Sequence, residues 1–182
     1  IPRKMVENLV KILPKEGDTK IVIAISDTRI TFECDSFKIN AKLIDGTYPD
    51  YDRVIPAYVA AFPMEINRNQ LMRFSSLSNR FRSKKRDSAT TKMIVDGSSV
   101  DLKSYNGLLG EVHSRVAAAY RGPAYTMGYN PRYMAEILRA IRSENVVILT
   151  QKDEGQEQIG QPVKITGIDD PNFLAVLMPM RV

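Results

Sequence analysis

Residue types that commonly carry catalysis or bind metals are scarce in this chain. It has one cysteine, Cys34, and one histidine, His113, which excludes an internal disulfide and a metal cage built from thiolates and imidazoles. Cys34 alternates with Ile30 and Phe32 along a strand-like run, which predicts a buried thiol. His113 lies in a polar alternating stretch, which predicts an exposed strand residue. The spacing of the carboxylates singles out no acid–base pair, so we predict no catalytic site, no metal site and no cofactor.

Basic residues exceed acidic ones, and the formal net charge is +5 at pH 7. Residues 1–55 carry nine basic and nine acidic groups, so the whole excess lies in residues 56–182. This asymmetry favours an anionic partner such as nucleic acid. The run from Arg80 to Arg86 holds five basic groups in seven residues. We interpret this run as a solvated charged loop, with direct DNA contact as the alternative.

Nothing in the sequence predicts a membrane segment. No apolar run approaches the roughly 18 to 20 residues that span a bilayer. The first residues also lack a charged segment followed by an apolar one, which a secretory leader would have. We therefore expect a soluble cytoplasmic protein without a membrane partner.

The first part of the chain has the pattern of one helix followed by a three-stranded meander. The helix begins near Pro2 and ends at Pro14. Its apolar residues recur at the spacing of one helical face: Met5, Val6, Leu9, Val10, Ile12 and Leu13. The predicted strands are Lys20–Ile25, Arg29–Cys34 and Phe37–Leu43. A turn-rich segment from Asp45 to Pro56 breaks both periodicities, so we predict two domains, residues 1–56 and 57–182.

The second part has the pattern of two helices among several strands. The predicted helices are Asn67–Leu77 and Pro131–Arg142. The predicted strands are Phe62–Ile66, Thr91–Val95, Ser99–Leu102, Glu111–Ala118, Ala124–Tyr129, Val146–Thr150, Val163–Thr166 and Leu174–Met180.

An internal repeat relates the two parts. A shift of 129 residues aligns residues 2–12 with residues 131–141 and gives six identities in eleven positions. A strand meander follows each copy, but only the later copy is preceded by about 70 residues of its own domain. We therefore expect the first domain to lack its front half and the second to consist of two similar halves.

Three separated segments resemble those of one family. Lys42–Pro56 resembles the segment that joins the second and third domains of bacterial DNA polymerase III β subunits, the sliding clamps. Gly128–Tyr133 and Val176–Val182 resemble two later segments of the same family, and Ile1–Lys4 resembles the entry into the second helix of its middle domain. The resemblance implies that residues 1–56 are the C-terminal half of a middle clamp domain and residues 57–182 a complete third domain.

This resemblance implies an α+β DNA-clamp fold, in which each domain packs two helices on antiparallel sheets and is built from internal repeats. It implies that the full-length protein is a homodimer ring that encircles duplex DNA without regard to sequence and tethers the replicative polymerase for processive synthesis. Such a processivity subunit has no catalytic site and acts at the replisome on the bacterial nucleoid. The implied partners are the polymerase III α subunit, the clamp loader and repair polymerases, which dock through clamp-binding peptides.

A ring that slides needs attraction to phosphate without readout of base edges. Basic residues on helices that face the ring's interior would meet this need. Arg3 and Lys4 match basic family residues at the head of the first helix. Further candidates rest on helix geometry: Arg73, Arg132, Arg139 and Arg142.

Peptide docking requires an apolar groove with a few polar groups at its edge. The resemblance assigns the following residues to such a groove: Pro49, Arg53, Val54, Phe81, Asn130, Tyr133, Val176, Leu177, Met178, Pro179, Met180 and Arg181. Methionines suit a site that accepts several partners, because their flexible thioethers repack around different side chains.

The resemblance also assigns a subunit contact to the first helix of the third domain, where Leu77 fits the apolar part. An acidic stretch accompanies this contact in the family, whereas Tyr105–His113 has a single carboxylate, Glu111. This departure leaves an alternative open, a divergent DNA-binding or protein-interaction module that shares the fold without forming a processivity ring.

Overall fold

The structure, a computed structural model, describes residues 1–13, 19–57, 61–81, 90–151 and 161–181. Pro14 and residues 82–86 of the basic run lie outside the described residues. The chain divides into two compact units, Ile1–Pro49 and Asp50–Val182. We refer to them as unit 1 and unit 2.

The described residues of unit 1 form one helix, α1 (Arg3–Ile12), followed by a three-stranded antiparallel sheet. The strands pair in chain order, β1 (Val22–Ile25), β2 (Arg29–Cys34) and β3 (Phe37–Lys42). The fully buried core is small and consists of Met5, Ile30 and Phe32. Partly buried residues surround it: Leu9, Ile21, Ile39, Ala41 and Leu43. The predicted helix and meander are thus present, in the predicted order.

One prediction for unit 1, a buried Cys34 thiol, is wrong. The apolar face of α1 is mostly uncovered, since Val6, Val10 and Ile12 are 47%, 67% and 49% exposed. The physical reason is that, in the described part of unit 1, α1 packs only on the small core of the sheet. Cys34 is half-buried rather than buried, because it ends β2 at a turn, where its Sγ lies 3.3 Å from Ser36 Oγ. Hydrogen bonding to Ser36 lowers the pKa of the Cys34 thiol.

Unit 2 begins with a short 3₁₀ helix, Tyr51–Val54, and its described residues include two α-helices, α2 (Arg68–Arg80) and α3 (Pro131–Ala140). Its described strands are β4 (Ala61–Asn67), β5 (Thr91–Asp96), β6 (Ser99–Asn106), β7 (Gly110–Ala119), β8 (Tyr125–Tyr129), β9 (Asn145–Gln151), β10 (Val163–Gly167) and β11 (Asp170–Leu177). They form one sheet in the order β11-β10-β9-β4-β7-β6-β5-β8, and neighbouring strands are antiparallel. The last strand ends at Leu177, three residues before the predicted end.

Local sequence sets both helix starts in unit 2. Asn67 accepts a hydrogen bond of 3.1 Å from the Gln70 amide, and Asn130 accepts one of 3.0 Å from the Arg132 amide. Each asparagine thus satisfies one of the amides that a helix start leaves unpaired. Pro131 occupies the first position of α3, where its missing N–H costs nothing. A turn between β5 and β6 contains Gly97 at φ 56°, a conformation that favours glycine.

The two helices of unit 2 pack against each other and on the sheet. The largest fully buried side chains come from both layers: Tyr129, Met64, Ile66, Leu71, Met93, Leu102, Met127, Met134, Leu138, Ile141, Ile148 and Ile165. Alternate residues of the strands face this core, as Met93 and Val95 do on β5.

Buried hydroxyl groups join α2 to the sheet. Ser78 Oγ lies 2.8 Å from Thr91 Oγ1 and donates a hydrogen bond of 2.7 Å to Ser104 Oγ. Ser75 Oγ lies 3.1 Å from Tyr129 Oη. Burial raises the pKa of Tyr129, so its phenol stays protonated at neutral pH. These bonds fix the rotation of α2 over β5, β6 and β8.

Candidate peptide-docking and nucleic-acid sites

The C-terminal tail crosses from the β11 edge of the sheet to the opposite edge strand, β8. The Met180 amide donates a hydrogen bond of 2.8 Å to the Gly128 carbonyl, and the two residues form an isolated antiparallel bridge. Thr90 Oγ1 lies 4.0 Å from Met180 Sδ. Leu177 is buried, whereas Met178 is 56% exposed. The tail therefore anchors one side chain in the core and presents another to solvent.

The start of α3 lies directly after the bridged strand. Asn130 caps α3 and follows Gly128 by two residues. Tyr133, in the first turn, is 47% exposed. The Arg132 guanidinium carbon lies 4.9 Å from the centroid of the Tyr133 ring, a distance typical of a cation–π contact. The structure thus brings Met180 of the terminal motif next to Gly128 of the Gly128–Tyr133 motif, and their membership of one peptide groove stays a prediction.

The other residues predicted for the groove lie on elements other than the tail and the start of α3. Arg53 and Val54 lie on the 3₁₀ helix and are exposed, and Arg53 Nε pairs with Asp50 Oδ2 at 2.8 Å. Phe81 is half-buried at the end of α2, where its carbonyl accepts a hydrogen bond of 2.8 Å from Asn106 Nδ2. Pro49 is exposed at the end of unit 1. Among the described residues, no hydrogen bond or ion pair joins Arg53, Val54 or Phe81 to the tail. Their membership of the groove stays a prediction.

Each of the three α-helices in the described residues has a basic residue at its first or second position and no acidic residue in its first turn. A helix start carries partial positive charge, so acidic side chains there would stabilise it and basic ones add to an anion-attracting surface. Arg3 and Lys4 are exposed at the head of α1. Arg132, Arg139 and Arg142 are exposed on α3 and just beyond it. The predicted phosphate-facing residues are therefore accessible.

Two of these arginines are paired with a glutamate one turn further along. Arg3 Nε lies 2.8 Å from Glu7 Oε1, and Arg132 Nε lies 3.6 Å from Glu136 Oε1. The pairs occupy equivalent positions of the internal repeat. Sequence reasoning did not single out these glutamates, although Glu7 and Glu136 are among the six identities.

Arg73 and Leu77 lie on a groove between α2 and β7. The groove has a volume of about 460 Å³, and Leu77 is 51% exposed on it. On its other side lie His113, which is exposed as predicted, and Arg115. Arg115 donates two hydrogen bonds of 2.8 Å to Asp101, and His113 Nε2 lies 3.3 Å from the same carboxylate. Hydrogen bonding by Arg115, with a smaller contribution from His113, lowers the pKa of Asp101 to about 2.

Comparison with known proteins identifies the family of this chain. Residues 1–50 match the central domain of the DNA polymerase III β subunit, and residues 60–181 match its C-terminal domain. The chain belongs to the DNA polymerase III β subunit family. It is 25% identical over 185 residues to the β sliding clamp of Caulobacter vibrioides and 26% identical over 186 residues to that of Vibrio cholerae. Each match covers 100% of this chain and 46% or 47% of the relative, so the chain spans about half the length of the curated relatives it matches.

Solved structures of the family have the same fold. The DNA polymerase III β subunit of Bartonella birtlesii, a DnaN sliding clamp, superposes with a TM-score of 0.86 at 29% identity. The match covers 100% of this chain and 50% of that one. The α+β clamp fold predicted from the sequence is therefore confirmed.

Sequence analysis did not single out one arginine that links the two α-helices described in unit 2. Arg68 opens α2 and donates a hydrogen bond of 3.1 Å from Nη1 to the Leu138 carbonyl near the end of α3. It thereby satisfies a carbonyl that a helix end leaves unpaired and links the two helices. An arginine at the first position of a helix is unusual, because the helix dipole disfavours it, and that position is the signal that could have marked it.

In the described ranges, no helix is long and apolar enough to cross a membrane. No group of three or more potential metal-ligating side chains occurs in them either.

Proposed function

We propose that this chain forms part of a DNA sliding clamp that tethers the replicative polymerase to duplex DNA and docks partners through a groove at its C-terminal tail. The observation that carries the proposal is the bridge between Met180 and Gly128. This bridge places the flexible, half-exposed Met178 and the exposed Tyr133 on elements that meet. Both side chains present apolar surface with polar backbone nearby, the combination that short peptides recognise.

The groove would accept clamp-binding peptides of the polymerase III α subunit, the clamp loader and repair polymerases. Its residues would be those predicted from the sequence, with the tail and the α3 entry at its centre. A clamp of Bartonella birtlesii with griselimycin bound, 30% identical with a TM-score of 0.87, covers 100% of this chain. That structure supports the proposal because it shows that a relative's surface accepts a ligand.

The exposed arginines and Lys4 at the helix starts would supply the attraction to DNA. Because Arg3 and Arg132 are already paired with glutamates, each contact with phosphate would displace an ion pair of modest strength, roughly 0.3 to 0.5 kcal/mol. Weak, exchangeable contacts are what sliding without sequence readout requires. A full-length homodimer ring at the replisome in the bacterial cytoplasm, closed in part through Leu77, completes the proposal.

The proposal is tested by measuring the affinity of the chain for a short clamp-binding peptide from a replicative polymerase, by fluorescence anisotropy. We expect a Kd between roughly 1 μM and 1 mM, which corresponds to a ΔG of about −8 to −4 kcal/mol. A chain ending at Leu177 and the surface variant Tyr133→Ala should both weaken binding at least about tenfold. Tyr105→Ala is the matched control, since Tyr105 is 76% exposed on the β6–β7 hairpin.

Peptide binding that survives both the truncation and Tyr133→Ala would contradict the docking site. Duplex DNA binding without any peptide binding would instead favour the DNA-binding module that does not form a processivity ring.

A further inference from the structure

Unit 2 consists of two similar halves, and an equivalent antiparallel residue pair occurs in each. The first half runs from β4 through α2 to β7, and the second runs from β8 through α3 to β11 and the tail. Glu65 and Gly128 each lie two residues before the asparagine that caps the helix of their half. Glu65 pairs with Ala119 at the end of β7, as Gly128 pairs with Met180 of the tail. The Glu65–Ala119 pair is therefore the counterpart, in the first half, of the bridge on which the proposed docking groove depends.

A cleft with a volume of about 480 Å³ lies beside the Glu65–Ala119 pair. We refer to it as the β4–β7 cleft. Its residues come from β4, the end of β7, the segment after β7, the β5–β6 turn and β9. Most of them are apolar: Phe62, Pro63, Ala118, Ala119, Tyr120 and Val147. A cleft of this size with mostly apolar walls and few polar groups has the features of a binding site.

Two aromatic rings of the cleft are fixed by their surroundings. Tyr120 Oη donates a hydrogen bond of 3.0 Å to the Pro123 carbonyl. The Tyr120 ring packs edge-on against Phe62 and Tyr125, with centroid distances of 6.5 Å and 5.5 Å. A side chain at Gly122 would overlap the Tyr120 hydroxyl and the Phe62 ring, so the backbone packs directly on both. These rings are therefore already ordered, which lowers the entropic cost of binding an apolar group beside them.

The β4–β7 cleft contains a cation that can meet an incoming carboxylate. Arg121 lines the cleft and is exposed, and it forms no ion pair with a described residue. The Glu65 carboxylate also lines the cleft, but its Oε1 accepts a hydrogen bond of 2.7 Å from Asn145 Nδ2. Glu65 is half-buried and held by this bond, whereas the Arg121 side chain is accessible to a charge-assisted hydrogen bond.

We propose that the β4–β7 cleft is a second docking site for a partner peptide, one that carries a large apolar side chain with a carboxylate next to it. The apolar side chain packs beside Phe62 and Tyr120, and the carboxylate pairs with Arg121. The choice of a peptide rests on the proposed function, because the cleft is the repeat counterpart of the groove proposed at the tail. Two such sites on one unit allow a partner with two segments to bind more tightly than either segment does alone.

The test measures the binding of three short peptides by NMR of the amide-labelled chain. Each peptide has blocked termini and consists of glycine and serine around two central residues: phenylalanine–aspartate, phenylalanine–lysine or alanine–aspartate. We expect the phenylalanine–aspartate peptide to cause saturable shifts at the amides of Ala118, Ala119, Arg121 and Val147. The alanine–aspartate peptide should bind at least about tenfold more weakly, because it lacks the anchoring ring. The phenylalanine–lysine peptide should bind about two- to fivefold more weakly, since an exposed ion pair contributes little.

Two variants of the cleft have matched controls. Arg121→Glu should reverse the preference between the aspartate and lysine peptides, whereas Lys20→Glu makes the same change in charge on an exposed residue of unit 1 and should not. Ala119→Trp should fill the cleft and weaken binding of the phenylalanine–aspartate peptide at least about tenfold. Ala140→Trp introduces the same ring on an exposed residue at the end of α3 and should leave that binding unchanged.

Four outcomes would overturn the proposal. The first is equal binding of the alanine–aspartate peptide, and the second is a preference of the unsubstituted chain for the lysine peptide. The third is binding of free 3-phenylpropionate as tightly as the peptide, which would make the cleft a small-molecule site. The fourth is occupation of the same amides by duplex DNA or by a second copy of the chain.

The polymerase-derived peptide is titrated into the same samples and read at the amides of Gly128 and Met180. Its failure there alone would count against the proposed function. Absence of binding at the β4–β7 cleft, with binding at the tail intact, would count against this inference.

Discussion

Helices α1 and α3 share six identities in eleven aligned positions but bury their apolar faces to different extents. Val6 is 47% exposed where its equivalent Ala135 is 1% exposed, and Ile12 is 49% exposed where Ile141 is 1% exposed. In unit 2, α2 packs against α3, whereas the described part of unit 1 has no second helix. The comparison shows that an amphipathic pattern records how much surface a helix can bury, while burial itself depends on the elements packed against it.

The largest expected effect on stability comes from a charge placed on α3, compared with the same charge at the equivalent position of α1. Ala135→Glu should lower the free energy of unfolding of unit 2 by several kcal/mol, because an unpaired carboxylate would be buried between α3 and its neighbours. Val6→Glu, at the equivalent position of α1, should change the stability of unit 1 by less than about 1 kcal/mol. Urea unfolding, monitored by hydrogen exchange in peptides from each unit, would separate the two effects.

Val6→Ala serves as the control for loss of the side chain without a charge. A large loss of stability from Val6→Glu, together with no loss from Val6→Ala, would contradict the difference in burial between α1 and α3. It would mean that the exposed face of α1 is covered in solution.

The repeat also shows what could be predicted from the sequence. The helices and strands were predictable because each has a clear period, and Pro131 and the two asparagine caps mark helix starts in the sequence itself. The exposure of Val6, Val10 and Ile12 was not predictable, because it depends on a neighbouring element and not on the period of α1.

The same reasoning applies to the sites. The tail and the Gly128–Tyr133 motif were found together because each is a contiguous, distinctive run. The groove between α2 and β7 was found only in part, through Leu77 and Arg73. Its other wall comes from β7, a strand more than 30 residues away in the chain. The local sequence of α2 does not indicate which distant strand packs beside it.

A smaller effect is expected from hydroxyl groups that differ in burial between the units. Ser78 bonds with both Thr91 and Ser104 in the core of unit 2, so Ser78→Ala should destabilise unit 2 by about 1 to 3 kcal/mol through the two partners left unsatisfied. In unit 1, Thr31 Oγ1 donates to Asn40 Oδ1 at 2.6 Å on an exposed surface. Thr31→Val should cost less than about 0.5 kcal/mol there, because water replaces the lost partner. Thermal unfolding of each variant, read from unit-specific amides, would check both values, and similar costs would contradict the assigned difference in burial.

The smallest expected effect concerns acid stability and should be confined to unit 2. The pKa of Asp101 is lowered to about 2 by Arg115 and His113. Because the folded-state pKa lies below the unfolded value, this carboxylate stabilises the fold fully above about pH 4. Its contribution should be lost as the pH falls from about 4 to 2.

Asp101→Asn should therefore remove part of the fall in melting temperature over that window, since the amide side chain of the variant cannot titrate. The loss should be seen at amides of β6 and β7, where Asp101 and Arg115 lie opposite each other, and not in unit 1. An NMR titration that placed the pKa of Asp101 near 4 would show that Arg115 and His113 do not hold the carboxylate in solution.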